Sequence, residues 1–504
     1  MLKPTAIGFD TVFQRELELI AKRRKHGDSA PAAALDLWGL ALSGGGIRSA
    51  AFNLGLLQAL AKHDVLQRCD YLSTVSGGGY IGACLSSLTA TGPADATSGG
   101  FPFDVGGAVE RPEVAHLREH SEYLVPRAGL LRLGTWRAIS TYLGGLLFTL
   151  LTGAGMLAIA AALAIAAYPP ILAFVRGLLG RSLVDPAHMW TAPREHLGEL
   201  FAPALAALAL WVLASLLYLV SGTLRRVWTL DARARLTKVQ GGLLMAAGAG
   251  AVFGAVPLIM VWIDGQLVRL APAITLASIL SALTVPGAFF LSAQVQAAWD
   301  KVRHWVLALG IWAFVTIVWI AVLYIVWLFR DYALPIAGGI IVLLWLVSRL
   351  TDINRISMYY FYRDRLSETF VVRRDGDRIE GNDGLRLTSL AFEDRRVPYH
   401  LINTTVNLPG SEDLTLRGRQ GDFFLFSPLF CGSRITGYSP TTTYERGRVS
   451  LASAMAVSGA AANPQHGHGT SPGLAFLMTL LNVRLGIWSE HRALSPRVFL
   501  RLGP

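Results

Sequence analysis

One serine stands in a setting that can make it a nucleophile. In the stretch "DYLSTVSGGGYIGACLSSL", an apolar run from Tyr71 to Val75 is followed by Ser76, three glycines and a helix-like segment. A serine at the tip of a strand-turn-helix exposes its Oγ, and the strained turn requires small neighbours. Gly78 fills the second glycine position of the GxSxG pattern, Thr74 occupies the first, and Gly77 adds room. The pattern predicts a nucleophile elbow at Ser76.

A second turn made of glycine precedes this serine in the chain. In "LWGLALSGGGIRSAAFNLGLLQAL", the pattern predicts a buried strand from Leu37 to Ser43, a turn at Gly44, Gly45 and Gly46, and a helix from Ile47 to Ala61. A turn without Cβ atoms lets backbone N–H groups converge on an anion, and the helix N-terminus adds to this attraction. The spacing alone is equally compatible with three glycines that only form a tight turn.

Together these two stretches resemble the patatin-like phospholipase family, which joins a GGGxR oxyanion loop to a nucleophile elbow in this order. A third stretch, Ala452 to Pro464, resembles the small-residue helix that precedes the family's catalytic Asp-Gly strand. The resemblance covers residues 37–90 and 398–485. It implies an α/β hydrolase domain with three layers and a mostly parallel sheet, interrupted here by a membrane block that simpler members lack. Membrane-embedded bacterial relatives are similar to this layout.

The resemblance also implies roles for single residues. It implies a serine acyl hydrolase that cleaves fatty-acyl esters of phospholipids or lysophospholipids through a Ser-Asp dyad, without a metal or another cofactor. The matching positions are Ser76 as the nucleophile, Gly44, Gly45, Gly46 and Gly77 around the oxyanion, and Arg48 as the basic residue beside the loop. Arg48 could instead be a surface charge, but a positive residue is unfavourable on a first helical turn.

The catalytic Asp of the dyad has no clear match. The family's Asp-Gly motif follows the small-residue helix, and no Asp follows Asp422 in this chain. Asp-Gly pairs occur at Asp264, Asp375 and Asp383, of which Asp383 is the candidate base, although "RRDGDRIEGNDGL" is typical of a solvated loop. We therefore expect that the chain stops before its catalytic Asp, and that these 504 residues hydrolyse little ester.

Two alternatives stay open. Ser458 in "AVSGAA" is another serine among small residues, but it lies within a helix-like run and not after a strand. The whole chain could be a non-catalytic polytopic membrane protein, whose patatin-like domain binds lipid or a partner without turnover. His466 and His468 could hold a metal, but an isolated HxH is more typical of an exposed loop.

A long apolar zone separates the two parts of the resemblance. The chain has 53% hydrophobic and 16% charged residues, against about 45–50% and about 25% in soluble domains. We predict about six transmembrane helices, with four as the lower bound, within a block at residues 136–351. Residues 1–135 and 352–504 would form the two parts of one hydrolase domain. The predicted spans are Tyr142–Ile171, Leu200–Val220, Gly241–Ile263, Pro272–Val295, Trp305–Leu328 and Ala333–Val347.

Charge predicts the surroundings of the chain. The net charge is +11, and the Arg residues flank apolar blocks, which favours an anionic membrane surface over nucleic acid. Arg225, Arg226 and Arg233 lie between the second and third predicted spans, and such loops tend to stay cytoplasmic. We therefore expect an integral protein of a bacterial inner membrane with both flanks in the cytoplasm, membrane lipids as substrate and environment, and no nucleic-acid partner. The sequence leaves the oligomeric state open.

Overall fold

The computed structural model describes residues 7–25, 37–91, 101–104, 110–121, 133–178, 190–221, 230–270, 315–393, 397–408, 414–465, 467, 470 and 472–489. Contacts between Cα atoms divide the chain into two units. The first unit is made of Met1–Leu150 and Leu350–Pro504, and the second of Leu151–Arg349.

The helices and strands follow one another along the chain as a mixture of short and very long elements. The helices are α1 (Phe9–Lys25), α2 (Gly46–Lys62), α3 (Gly77–Thr91), α4 (Pro112–Glu119), α5 (Leu133–Leu178), α6 (Leu197–Leu200), α7 (Ala202–Ser221), α8 (Leu230–Leu270), α9 (Val315–Leu328), α10 (Ala333–Leu350), α11 (Ile353–Ile356), α12 (Tyr359–Phe370), α13 (Leu414–Arg417), α14 (Leu451–Gly459) and α15 (Pro472–Leu480). The strands are β1 (Gly39–Leu42), β2 (Tyr71–Thr74), β3 (Val372–Asp375), β4 (Arg378–Gly381), β5 (Tyr399–Asn407), β6 (Gly421–Phe426), β7 (Phe430–Ser433) and β8 (Gly437–Pro440).

The main sheet of the first unit combines strands from both flanks of the apolar zone. Its order is β1-β2-β5-β6-β7-β8. The strands β1, β2 and β5 are parallel, with Leu42 opposite Thr74 and Thr74 opposite Ile402. From β5 to β8 the neighbours are antiparallel. The remaining two strands, β3 and β4, form a separate antiparallel hairpin.

The sheet corrects two expectations. It is mixed, so the expectation of a mostly parallel sheet is wrong. The connections from β6 to β7 and from β7 to β8 are residues 427–429 and 434–436, and connections this short join antiparallel neighbours. The first strand is also less buried than expected. Leu42 is buried, but Gly39 and Ala41 are exposed, because these two residues lie on the opposite face of β1 from Leu42.

The core of the first unit surrounds helix α3. This helix is buried along most of its length, because small and apolar residues occupy nearly every position of "GGGYIGACLSSLTAT". Helix α2 buries Ala50, Leu57 and Ala61, which recur at the spacing of one helical face. Helix α14 buries Ala452, Ala454, Met455 and Ala456 in the same core. The expectation of a small-residue helix at this position is confirmed.

Long apolar helices dominate the apolar zone. Four of the helices that the structure describes are long and apolar enough to cross a membrane: Ile139–Phe174, Pro193–Leu216, Arg235–Gln266 and Arg330–Leu350. They coincide with the first, second, third and sixth predicted spans. The predicted span Pro272–Val295 lies outside the described residues. Only the later part of the predicted span Trp305–Leu328 is described, as the shorter helix α9.

Candidate active site

Ser76 lies in the turn that joins β2 to α3, in a conformation that serine rarely adopts. Its φ angle is 51°, and a positive φ is uncommon outside glycine and typical of strained functional positions. The carbonyl of Ser76 accepts a hydrogen bond from the Tyr80 amide at 3.2 Å, within the first turn of α3. The predicted strand, turn and helix are therefore present, with the serine at the tip of the turn.

Close backbone contacts explain why glycines follow the serine. An added Cβ at Gly77 would lie 2.0 Å from the Gly46 carbonyl oxygen, and one at Gly78 would lie 2.3 Å from the Leu42 carbonyl oxygen. Both distances are far too short for any side chain. The glycines thus allow the first turn of α3 to contact the glycine loop and the end of β1 directly.

Thr74 occupies the position where the GxSxG pattern has its first glycine. Its side chain is buried between strands, and its Oγ1 lies 2.9 Å from Nε2 of His400 on β5. The other ring nitrogen, Nδ1, lies 2.8 Å from the Ser86 hydroxyl. Burial lowers the pKa of His400 to about 3, so this imidazole is neutral at physiological pH. It supports the strand below the turn and makes no recorded contact with Ser76 among the described residues.

The glycine loop faces the serine. An added Cβ at Gly44 would lie 3.3 Å from the Ser76 Cβ and 3.9 Å from its Oγ. Gly45 and Gly46 have φ angles of 146° and 62°, which glycine adopts without a steric penalty. The Ser49 hydroxyl donates to the Ser43 carbonyl at 2.5 Å and closes the loop from the side of α2.

Two helix N-termini meet at this loop, because α2 begins at Gly46 and α3 at Gly77. No side chain among the described residues caps α2 at Gly45. Among the residues that the structure describes, the amides of Gly44, Gly45, Gly46 and Gly77 donate no hydrogen bond to another part of the protein. Unpaired amides at a helix N-terminus attract negative charge. The arrangement can therefore hold an anion beside Ser76 Oγ.

Ser458, which the sequence offered only as an alternative to Ser76, is a neighbour of Ser76 in the structure. It lies near the end of α14, and its Oγ accepts a hydrogen bond from the Ser76 amide at 2.9 Å. The same hydroxyl donates to the Asn403 carbonyl on β5 at 2.6 Å. The small-residue stretch "AVSGAA" was the one signal in the sequence that pointed to this position.

The structure does not bring Asp383 to Ser76. The Asp383 carboxylate accepts hydrogen bonds from Arg363 at 2.7 Å and from Ser367 at 2.8 Å. Arg363 also contacts Ser450 and Ser453 at the start of α14, whereas Ser458 is near its end. Ser450 and Ser458 are separated by roughly 12 Å along a helix with the usual rise. Asp383 therefore belongs to an ion pair at the opposite end of α14.

The other predicted residues lie in different places. Arg48 is exposed on the first turn of α2. Asp375 ends β3, and Asp264 accepts a hydrogen bond from Tyr324 at 2.8 Å within the second unit. His466 and His468 lie outside the described residues. Within the part of the chain that the structure describes, no carboxylate hydrogen-bonds to Ser76 Oγ, and no cluster of potential metal ligands occurs.

Comparison with known proteins identifies the segment that carries these two turns. Residues 40–99 match the family model of the patatin-like phospholipases. The matched segment contains β1, the glycine loop, α2, β2, Ser76 and α3. No curated protein and no solved structure matches the chain significantly.

Proposed function

We propose that the protein is a membrane-bound serine acyl hydrolase that cleaves fatty-acyl esters of phospholipids or lysophospholipids, with Ser76 as its nucleophile. The observation that carries this proposal is the strained conformation of Ser76 beside an uncapped glycine loop. A positive φ at a serine is costly, and here it places Gly77, at the start of α3, against the Gly46 backbone and leaves the Ser76 side chain beside Gly44. Such a conformation is useful when the hydroxyl must attack and the amides must receive charge.

The chemistry follows from these positions. Ser76 Oγ forms a bond to the ester carbonyl carbon, and its proton passes to a base. The carbonyl oxygen becomes an oxyanion, which the free amides of Gly44, Gly45, Gly46 and Gly77 stabilise. Each donor of this kind typically contributes about 3 to 4 kcal/mol to the transition state. The base returns the Ser76 proton to the leaving oxygen of the lysolipid or alcohol as the carbonyl re-forms in the acyl-serine, and water then hydrolyses that ester and releases the fatty acid. The family resemblance implies a carboxylate base, to which no described residue is assigned.

Lipid is the proposed substrate because exposed apolar side chains occur close in sequence to both turns. Ile47, Phe52 and Val75 are exposed large hydrophobic residues on α2 and directly before Ser76. They would contact an acyl chain, and Arg48 next to them would attract the lipid phosphate. The helices that are long enough to cross a membrane would keep this site next to a bilayer. We propose that the bilayer is a bacterial inner membrane and that the site faces the cytoplasm.

A second candidate stays open, because no carboxylate among the described residues contacts Ser76 Oγ. In that case the patatin-like unit binds lipid or a partner without turnover. The two candidates differ in one property, which is covalent chemistry at Ser76. Lipid binding alone does not distinguish them.

The test is a burst experiment with an activated long-chain ester, such as the p-nitrophenyl ester of a fatty acid, on the protein in detergent micelles. A hydrolase releases about one equivalent of nitrophenolate per chain in an initial burst, because the acyl-serine accumulates. We expect Ser76→Ala to abolish the burst and Ser453→Ala, on α14, to retain it. A burst that survives Ser76→Ala would exclude Ser76 as the nucleophile. Equal binding of phospholipid vesicles by all three proteins without a burst would favour the non-catalytic candidate.

A further inference from the structure

The hydroxyl of Ser458 links three elements that meet at the nucleophile. It accepts the Ser76 amide at 2.9 Å and donates to the Asn403 carbonyl at 2.6 Å. The serine turn, strand β5 and helix α14 are thereby joined through one oxygen atom. Ser76 and Ser458 are 382 positions apart in the chain, so the contact exists only in the folded state.

Strand β5 holds the approach to the turn as well. The Asn403 side chain donates to the Ser73 hydroxyl at 2.8 Å and to the Thr74 carbonyl at 3.1 Å. The backbone of Asn403 therefore positions Ser458, and its side chain positions the two residues that end β2. The end of β2, which leads into the serine turn, is thus left with little freedom, which is what a strained turn requires of its surroundings.

The end of α14 has a second attachment that fixes Ser458 itself. The Tyr362 hydroxyl on α12 donates to the Gly459 carbonyl at 2.8 Å and lies 2.6 Å from the Tyr80 hydroxyl on α3. An added Cβ at Gly459 would lie 2.6 Å from both hydroxyls. Because Tyr80 is in the first turn after Ser76, this contact and the Ser458 contact fasten the same turn to α14 at two points.

We propose that Ser458 is a positioning residue for the nucleophile. This inference rests on the proposed function. Ser458 accepts the Ser76 amide and so holds Ser76 at its positive φ, with Oγ beside Gly44. The Ser76 amide is therefore not an oxyanion donor, and the amides of Gly77 and the glycine loop remain for that purpose. Removal of the Ser458 hydroxyl would let the turn relax and would move Oγ away from its position of attack.

The experiment measures how fast a long-chain alkyl fluorophosphonate labels Ser76 in the full chain in detergent micelles. The variant is Ser458→Ala, and the matched control is Ser453→Ala on the same helix, whose hydroxyl bonds to Ser450 and Arg363 at the other end. Misplacement by about 1 Å can cost about 100-fold in rate. We expect the maximal labelling rate of Ser458→Ala to fall at least about tenfold. The probe concentration for half-maximal rate should not change, because the acyl-binding surface is untouched.

Folding is followed in parallel by the thermal unfolding midpoint. If Ser458→Ala does not fold, Ser458→Cys replaces it, because a thiol is close in size but a weak hydrogen-bonding group. The inference is supported if the Ser458 variant has the same thermal unfolding midpoint as the Ser453→Ala protein but a slower maximal labelling rate. A rate equal to that of the wild type, or a slow-down shared by Ser453→Ala, would overturn the inference and leave the proposed function intact. Absence of Ser76 labelling in the wild type would overturn both.

Discussion

At the scale of single residues, the glycines of the loop are needed for two different reasons, which are a positive φ angle and a close approach to Ser76. Gly45 and Gly46 have positive φ angles, so a side chain at either position strains the backbone whatever the function of the loop. Gly44 has no positive φ, and the atoms nearest to an added methyl group would be those of the Ser76 side chain and the Val75 carbonyl. Gly44 is therefore the position where an effect on chemistry can be separated from an effect on folding.

Gly44→Ala should slow labelling of Ser76 about tenfold while costing roughly 1 kcal/mol of stability, in the lower range for an added methyl group. The physical reason is that the new Cβ would lie 3.3 Å from the Ser76 Cβ, so the loop and the serine must separate slightly. Gly55→Ala on α2 is the control, since nothing lies within 4 Å of its added Cβ. That change should stabilise the helix by about 0.5 to 1 kcal/mol without an effect on labelling. If the loss of labelling in Gly44→Ala is no larger than the loss of folded protein, the result would support a loop that only forms a tight turn.

Residue patterns in the sequence predicted part of this site. The position of Ser76 after a strand and before a helix followed from local apolar and glycine patterns, which the chain carries within a few residues. The contacts of Ser458 and Asn403 could not be predicted, because they depend on how β5 and α14 pack beside β2. The same limit applies to Asp383, whose Asp-Gly motif gave no sign of its ion pair with Arg363.

At the scale of elements, helix α1 buries charged groups against the start of the parallel strands. Glu16 is 5% exposed and accepts a hydrogen bond from the Tyr71 hydroxyl at 3.2 Å. Burial is the main cause that raises the Glu16 pKa to about 7, partly opposed by hydrogen bonds from Tyr71 and Tyr399. Nearby, Arg24 pairs with Asp70, and burial lowers the pKa of Arg23 to about 10.

The Glu16 pKa predicts how the stability of this unit depends on pH. The folded pKa is above the unfolded value of 4.5, so the folded state binds the proton more tightly. The contribution of Glu16 to the free energy of unfolding should therefore be largest below about pH 4.5 and should fall by roughly 3 kcal/mol as the pH rises to about 7. Glu16→Gln should remove this part of the decline, and Glu18→Gln, at an exposed position, should not. Denaturant unfolding at pH 5 and pH 8 measures the difference, and identical pH dependence in Glu16→Gln and the wild type would contradict it.

The elements also show where sequence patterns reach their limit. The strand β2 and the helix α14 were visible as an apolar run and a small-residue run. Strand direction was not, because the family resemblance implied parallel neighbours whereas the short connections after β6 and β7 produce antiparallel ones. The sequence also does not show whether a strand lies at the edge of the sheet. We therefore expected β1 to be buried, although its outer side has no partner among the described strands.

At the scale of the whole molecule, the sheet combines strands that lie before and after the apolar zone. β1 and β2 come from the N-terminal flank, and β5 to β8 come from the C-terminal flank. If the apolar zone crosses a membrane, the two flanks must be on the same side of it to form this sheet. The apolar zone must then cross the membrane an even number of times.

Reporter fusions test this requirement. A reporter inserted near residue 30 and another placed after residue 480 should both report the cytoplasm, because the Arg-rich loops between predicted spans favour that side. Reporters in the loop around Arg225 should agree with them. Opposite locations for the two flank reporters would contradict the requirement and would place β1 and β5 on different sides of the membrane.

The central claim is that Ser76 is a nucleophile beside an anion-binding loop, and covalent trapping tests it most directly. A fluorophosphonate needs only one attack by the serine, so the measurement does not depend on repeated turnover. The labelled protein is digested, and the modified peptide is identified by mass spectrometry. We predict one modified site, Ser76, which disappears in Ser76→Ala and persists in Ser453→Ala. Modification of Ser458 with Ser76 unlabelled, or labelling unaffected by Ser76→Ala, would contradict the claim.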